Sequence, residues 1–185
     1  MITLTSTKKE KKQLLEHLSK CEKDLKNNEP EDFEDFLICC KLFTNPQSYG
    51  TKIQNRWIRD NGYHKVNSSK NCGDYKDMDS YVEFKVSYFS NNKWTLLQLR
   101  PYQKIDRYDI MLIDKNYKYE LYEIPKKQMD RLLKQYGDVA HGTKDSNIEN
   151  KNLEYRISIK KHMLLIIEKY LVKKINQKNN MERFF

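Results

Sequence analysis

Gly73-Asp74-Tyr75-Lys76-Asp77-Met78-Asp79-Ser80-Tyr81-Val82-Glu83-Phe84-Lys85-Val86 is the stretch whose alternation decides the fold. In a strand, successive side chains point to opposite faces. Val82, Phe84 and Val86 therefore share a face that can pack on a core. Glu83 and Lys85 share the other, which presents a carboxylate and an ammonium two residues apart. Asp77-Met78-Asp79-Ser80 has the composition of a turn, so Gly73-Asp74-Tyr75 reads as the end of a first hairpin strand, with Asp74 close to Glu83. Asp77 and Asp79 are rivals for the place of that first carboxylate.

Outward from this hairpin the period changes. Toward the N-terminus it is helical: residues 8–26 carry Leu14, Leu15, Leu18, Cys21 and Leu25 at helical spacing, and Pro30-Glu31-Asp32 suits the start of a second helix reaching Phe43. A third helix is expected over 50–61. Strands are expected at 63–67, 72–76, 81–89 and 94–100, with Ser90-Asn91-Asn92-Lys93 as the hairpin turn between the last two. Ile110-Met111-Leu112-Ile113 is a continuous apolar run suited to a strand buried on both faces. Residues 117–124 form the next strand, Pro125 opens a helix to Tyr136 capped by Gly137, and 138–151 reads as a polar loop. A last strand near 153–159 and a helix over 161–176 complete the chain. The expectation is one α/β domain over 1–185: a helical part at 1–48, a core with a mixed sheet flanked by helices at 49–160, and a C-terminal helix with a basic tail at 161–185.

The chain has 185 residues and a net charge of +9, with 13 Tyr and 7 Phe to build a core. The basic excess favours a polyanionic partner such as nucleic acid, although a Lys- and Asn-rich composition also follows from an AT-rich genome. Cys21, Cys39, Cys40 and Cys72 lack zinc-ligand spacing and read as free thiols. Met1-Ile2-Thr3-Leu4 runs into Lys8-Lys9-Glu10 with no apolar stretch behind it, and the longest apolar run, Met163 to Ile167, is too short to span a bilayer. These features predict a cytoplasmic protein with no membrane partner. A nucleotide-binding glycine loop and a nucleophile elbow are both missing from the sequence.

Asp74 and Glu83 are hard oxygen donors of the type that holds Mg²⁺, and the backbone carbonyl of Phe84 can add a third oxygen. Lys85 beside them can orient an attacking water or offset charge that develops on a phosphate. Gly73-Asp74, eight residues, then Glu83-Phe84-Lys85 resembles the PD-(D/E)xK nuclease motif, with Cys72-Gly73 where that motif often has Pro. Leu96-Leu97-Gln98-Leu99-Arg100 followed by Pro101-Tyr102-Gln103-Lys104-Ile105-Asp106-Arg107-Tyr108 resembles a segment of some type II restriction endonucleases. Ile124-Pro125, Met129 and Ala140-His141-Gly142-Thr143 are similar to later parts of such enzymes.

The resemblance covers roughly 49–160. It implies a Mg²⁺-dependent, sequence-specific endonuclease on double-stranded DNA that leaves 5′-phosphates, acts as a homodimer and pairs with a cognate DNA methyltransferase. Asp74, Glu83 and Lys85 would be its catalytic residues. Many members place a Glu on the preceding helix where this chain has Gln54, which can instead hold a metal-bound water. Gln98 and Arg100 are expected on one strand face near the metal, in contact with phosphate. Tyr102, Gln103, Lys104, Arg107, His141 and Thr143 are candidates for DNA contact, Arg and Gln being able to read base edges in pairs of hydrogen bonds. The other readings are a structure-selective nuclease of junction or repair type, and a basic DNA-binding module without catalysis.

Overall fold

The computed structural model describes residues 8–45, 48–67, 71–139 and 153–174. The chain divides into two compact units, Met1–Ile53 and Gln54–Phe185. The first unit holds α1 (Lys8–Asn27), α2 (Phe33–Phe43) and the start of α3 (Tyr49–Asp60). Asp32, rather than Pro30, sets the start of α2: its Oδ1 accepts the amides of Glu34 and Asp35 at 2.8 and 3.0 Å. These are two of the amides that the first turn of a helix leaves unpaired. The stripe Phe36, Leu37 and Cys40 is buried, as its spacing predicts.

The second unit carries β1 (His64–Lys65), β2 (Tyr75–Asp77), β3 (Ser80–Tyr88), β4 (Lys93–Leu99), β5 (Arg107–Ile113), β6 (Tyr119–Pro125), α4 (Lys126–Tyr136), β7 (Gly137–Val139), β8 (Tyr155–Lys160), α5 (Lys161–Ile167) and β9 (Leu171–Lys174). A mixed six-stranded sheet runs in the order β1-β2-β3-β5-β6-β9, with β3 and β5 parallel and the other pairs antiparallel. A second, antiparallel sheet has the order β4-β8-β7. Mixed α/β architecture with a mixed sheet is thus as expected.

Register decides which side chains meet. Glu83 lies opposite Tyr108 and Lys85 opposite Ile110, while Tyr108 and Ile110 lie opposite Ile124 and Tyr122. That face of the large sheet forms the main core with Leu96, Leu99, Ile157 and Ile159 of the second sheet and with Met129, Leu133, Met163 and Ile167 of the helices. Each such side chain, fully buried, contributes roughly 1.5–3 kcal/mol of hydrophobic stabilisation. On the other face, the Trp57 ring stacks on Phe84 with centroids 6.2 Å apart and meets Tyr119 edge-on at 6.4 Å. Glu83 and Lys85 therefore project from the core side of the sheet rather than from a solvated polar face.

Several elements differ from the sequence reading. The turn at Ser90–Lys93 forms, with Asn91 and Asn92 both at positive φ, but β4 does not extend the ladder with β3. The Ser87 hydroxyl takes the amide of Thr95 at 2.9 Å, and β4 crosses to pair with β8. A bulge between Leu96 and Leu99, with Gln98 at φ 53°, turns Leu97 and Gln98 out to solvent together. Gln98 and Arg100 consequently do not form the simple shared face expected of them. Gly137 ends α4 as predicted, its amide donating to Leu133 O, and residues 137–139 form β7 where the loop was expected to begin; residues 140–151 of that loop lie outside the described residues. The C-terminal helix stops at Ile167, and a 3-10 turn leads into β9 at the sheet edge. Cys40 is buried, Cys39 and Cys72 are partly exposed, and all three are free thiols. No helix among the described residues is long and apolar enough to cross a membrane.

Candidate active site

Asp74 reaches its place because Gly73 does what no other residue could. Gly73 has φ +81°, and a Cβ there would lie 2.4 Å from the Val82 carbonyl oxygen and 3.0 Å from the Ile105 side chain. With the backbone this close, the Asp74 amide donates to Val82 O at 2.7 Å. One step along β3, Asp74 Oδ2 accepts the Phe84 amide at 2.8 Å. The carboxylate thus substitutes for the next rung of a ladder that β2 does not supply. The N–H and C=O of a strand residue point to the same edge, so the Phe84 carbonyl faces the side on which Asp74 sits.

Glu83 is 3% exposed, and both of its oxygens are engaged. Lys85 Nζ lies 2.7 Å from Oε1, and Gln103 Nε2 donates to Oε2 at 2.9 Å. Gln54, on α3, hydrogen-bonds the Asp74 carboxylate. Burial, and then the neighbouring Glu83 charge, push the Asp74 pKa up to about 6 against the opposing pull of Lys85, the Phe84 amide and Gln54. The structure thus brings Asp74, Glu83, Lys85 and Gln54 together. Asp77, the rival carboxylate, pairs with Ser80 at the hairpin end and binds Arg107 at 2.7 Å, and Asp79 lies in the turn beyond it.

The β4–β5 loop departs from expectation. Gln103 is 6% exposed and turned inward to Glu83, so it is not displayed for base reading. Arg107 lies on the opposite sheet face, its guanidinium shared by Asp77, Asp109 and Glu123 at 2.7, 2.8 and 3.8 Å. Tyr75 donates its hydroxyl to Asp109 and stacks on Tyr63, with centroids 4.7 Å apart. Arg107 thus balances an acidic cluster centred on the buried Asp109 rather than being displayed for base reading. Arg100 bonds Glu154 at 2.7 Å and still feels the Glu83 charge. Tyr102 is partly exposed and Lys104 exposed, whereas His141 and Thr143 lie outside the described residues. Sequence reasoning missed the role of Gln103, because no local period links it to a strand 20 residues earlier. Its place between Pro101 and the buried Ile105 is the one local hint of an inward turn.

The donor set suits a hard cation. Asp74 is desolvated beside a second carboxylate, a cost of ionisation that a divalent ion would offset, and the Phe84 carbonyl adds oxygen on the same edge. Among the described residues no group of three His, Cys, Asp or Glu side chains could hold a metal. A site of two carboxylates is nonetheless the kind in which Mg²⁺, which keeps several of its waters, is held. Compared with known proteins, the chain matches no family model and no curated protein.

Proposed function

We propose that this chain is a Mg²⁺-dependent endonuclease of the PD-(D/E)xK type that cuts double-stranded DNA at a specific sequence, as type II restriction enzymes do. The observation that carries this reading is the convergence of Asp74, Glu83 and Lys85 at one end of the β2–β3 hairpin, with Asp74 desolvated and its pKa raised to about 6. The parallel β3–β5 pair inside a mixed sheet is in keeping with that superfamily's architecture.

Asp74 and Glu83 would hold the ion, with the Phe84 carbonyl beside them. When bound, the ion supplies Lewis-acid polarisation of the phosphate and lowers the pKa of a water. Lys85, only 17% exposed at its side chain, is close enough to orient the attacking water and to offset charge developing on the phosphate, so that the 3′ oxygen leaves and a 5′-phosphate remains. Gln54 and Gln103 keep the two carboxylates oriented.

A basic ridge on α4 supports DNA as the substrate. Lys127, Arg131 and Lys134 are exposed along one side of the helix and line a cleft of about 500 Å³ whose wall includes Ile105. Of the carboxylates in that cleft, Asp130 is bound through Oδ2 by Lys126 at 2.6 Å and Asp106 by the Tyr81 amide at 2.7 Å. No carboxylate among the described residues pairs with the three ridge cations. Ile105, in the cleft wall, also packs against Gly73, the residue before Asp74. A homodimer and a methyltransferase of the same specificity would complete such a system.

The test is digestion of unmodified linear phage DNA by the wild type and Lys85→Ala, with Mg²⁺ or with chelator. Discrete fragments that need both Mg²⁺ and Lys85 are the expected result. Cleavage confined to branched substrates would replace this reading with a structure-selective nuclease. Retarded but uncut DNA on every substrate would leave a binding module.

A further inference from the structure

Gln103 sits in a loop tied at both of its ends. Its own amide donates to Arg100 O at 3.0 Å, and the next amide, of Lys104, donates to Asn71 O at 2.9 Å, in the segment that leads into Asp74. The side chain is 6% exposed, and its Nε2 donates to Glu83 Oε2 at 2.9 Å. A carboxylate accepts hydrogen bonds, so the NH₂ end of the amide must face Glu83 and the carbonyl end must point away. That carbonyl oxygen, Oε1, is buried without a hydrogen-bond partner among the described residues. A buried amide acceptor with no donor is unfavourable.

We propose that Gln103 belongs to the cation site as a positioning residue. Nε2 holds the Glu83 carboxylate in place, and Oε1 would be free to accept a hydrogen bond from water around a divalent ion that Asp74 and Glu83 would hold. The proposal rests on the nuclease reading only through the existence of that ion. It explains why a long polar side chain of the loop between β4 and β5 is turned into the protein. It also explains why the amide contacts Glu83 while leaving its better acceptor unused. Supporting groups of this kind, one bond removed from the metal, typically change affinity about 10- to 100-fold when removed.

The experiment is calorimetric titration of the full-length, chelator-stripped protein with Mn²⁺ at pH 8, for wild type, Gln103→Met and Gln103→Glu. The metal-free melting temperature of each serves as the folding control. Gln103→Met should bind Mn²⁺ at least about tenfold more weakly, and should also melt lower, because the buried Glu83 carboxylate loses its Nε2 donor. Gln103→Glu should melt lower without metal, having a third carboxylate beside Glu83, and should bind Mn²⁺ more tightly. A role in packing alone predicts unchanged Mn²⁺ affinity for Gln103→Met, whatever its melting temperature. Mn²⁺ binding by wild type with equal affinity in both variants overturns the role of Gln103 and leaves the nuclease reading standing. No Mn²⁺ binding by wild type overturns both.

Discussion

Asp74 carries a proton balance that the folded state changes. Burial first, and Glu83 second, raise its pKa to about 6, above the ordinary value of about 3.9. A carboxyl raised in this way is easier to protonate folded than unfolded. The stability it contributes is complete below about pH 4 and is lost as pH rises through about 6. Asp74→Asn should therefore melt roughly 5 °C higher than metal-free wild type at pH 8, with the difference closing toward pH 4. Thermal melts at the two pH values check this, and an equal difference at both would remove the raised pKa from the account. The same variant should lose cleavage, which separates a ligand's cost in stability from its value in function. At this scale the alternation of Tyr81–Val86 was enough to pair Asp74 with Glu83 and Lys85. It could not place Gln103 or Arg107, because their partners are chosen by the register of β3 against β5 and by the path of the loop between β4 and β5.

Elements follow local pattern where one strand or helix can satisfy itself, and depart from it where a distant partner is needed. The two turns at Met78-Asp79 and Asn91-Asn92 were legible from their polar turn residues, and Asn accepts positive φ at little cost, as Asn91 and Asn92 do. Whether β4 continued the β3 ladder was not legible. Its alternating apolar positions fit either sheet, and only pairing with β8 fills the space above Tyr108 and Ile110. Likewise β7 and β9 are short segments that owe their extended form to neighbours already in place. The β2–β3 hairpin depends on one glycine. In Gly73→Ala the new Cβ meets Val82 backbone that cannot give way, at a φ that L residues rarely adopt. The variant should lose about 2 kcal/mol of stability or more and, with Asp74 displaced, its divalent-ion affinity. Denaturant unfolding and Mn²⁺ titration read the two effects, and a variant with both unchanged would mean that the close approach at Gly73 is dispensable.

For the molecule as a whole, the net charge of +9 is a poor guide until the cations are located. Many are neutralised, as Arg107 is by its three carboxylates, while Lys127, Arg131 and Lys134 line one cleft free of carboxylate partners among the described residues. Changing these three to Ala should weaken duplex binding in chelator and lower the slope of log affinity against log salt by up to about 3, close to one counterion for each phosphate that the ridge would otherwise neutralise. Fluorescence anisotropy over a salt series would measure it, and an unaltered slope would move the DNA to another surface. By itself the sequence determined the first four helices, the hairpin with its paired carboxylates and lysine, and the α/β class, since these follow from side-chain period and turn chemistry over a few residues. Tertiary structure alone decided the division into two sheets, the burial of Glu83 beneath Gln103, the diversion of Arg107 to an acidic cluster and the raised pKa of Asp74. All four depend on desolvation and register between segments far apart in the chain, which no local pattern encodes.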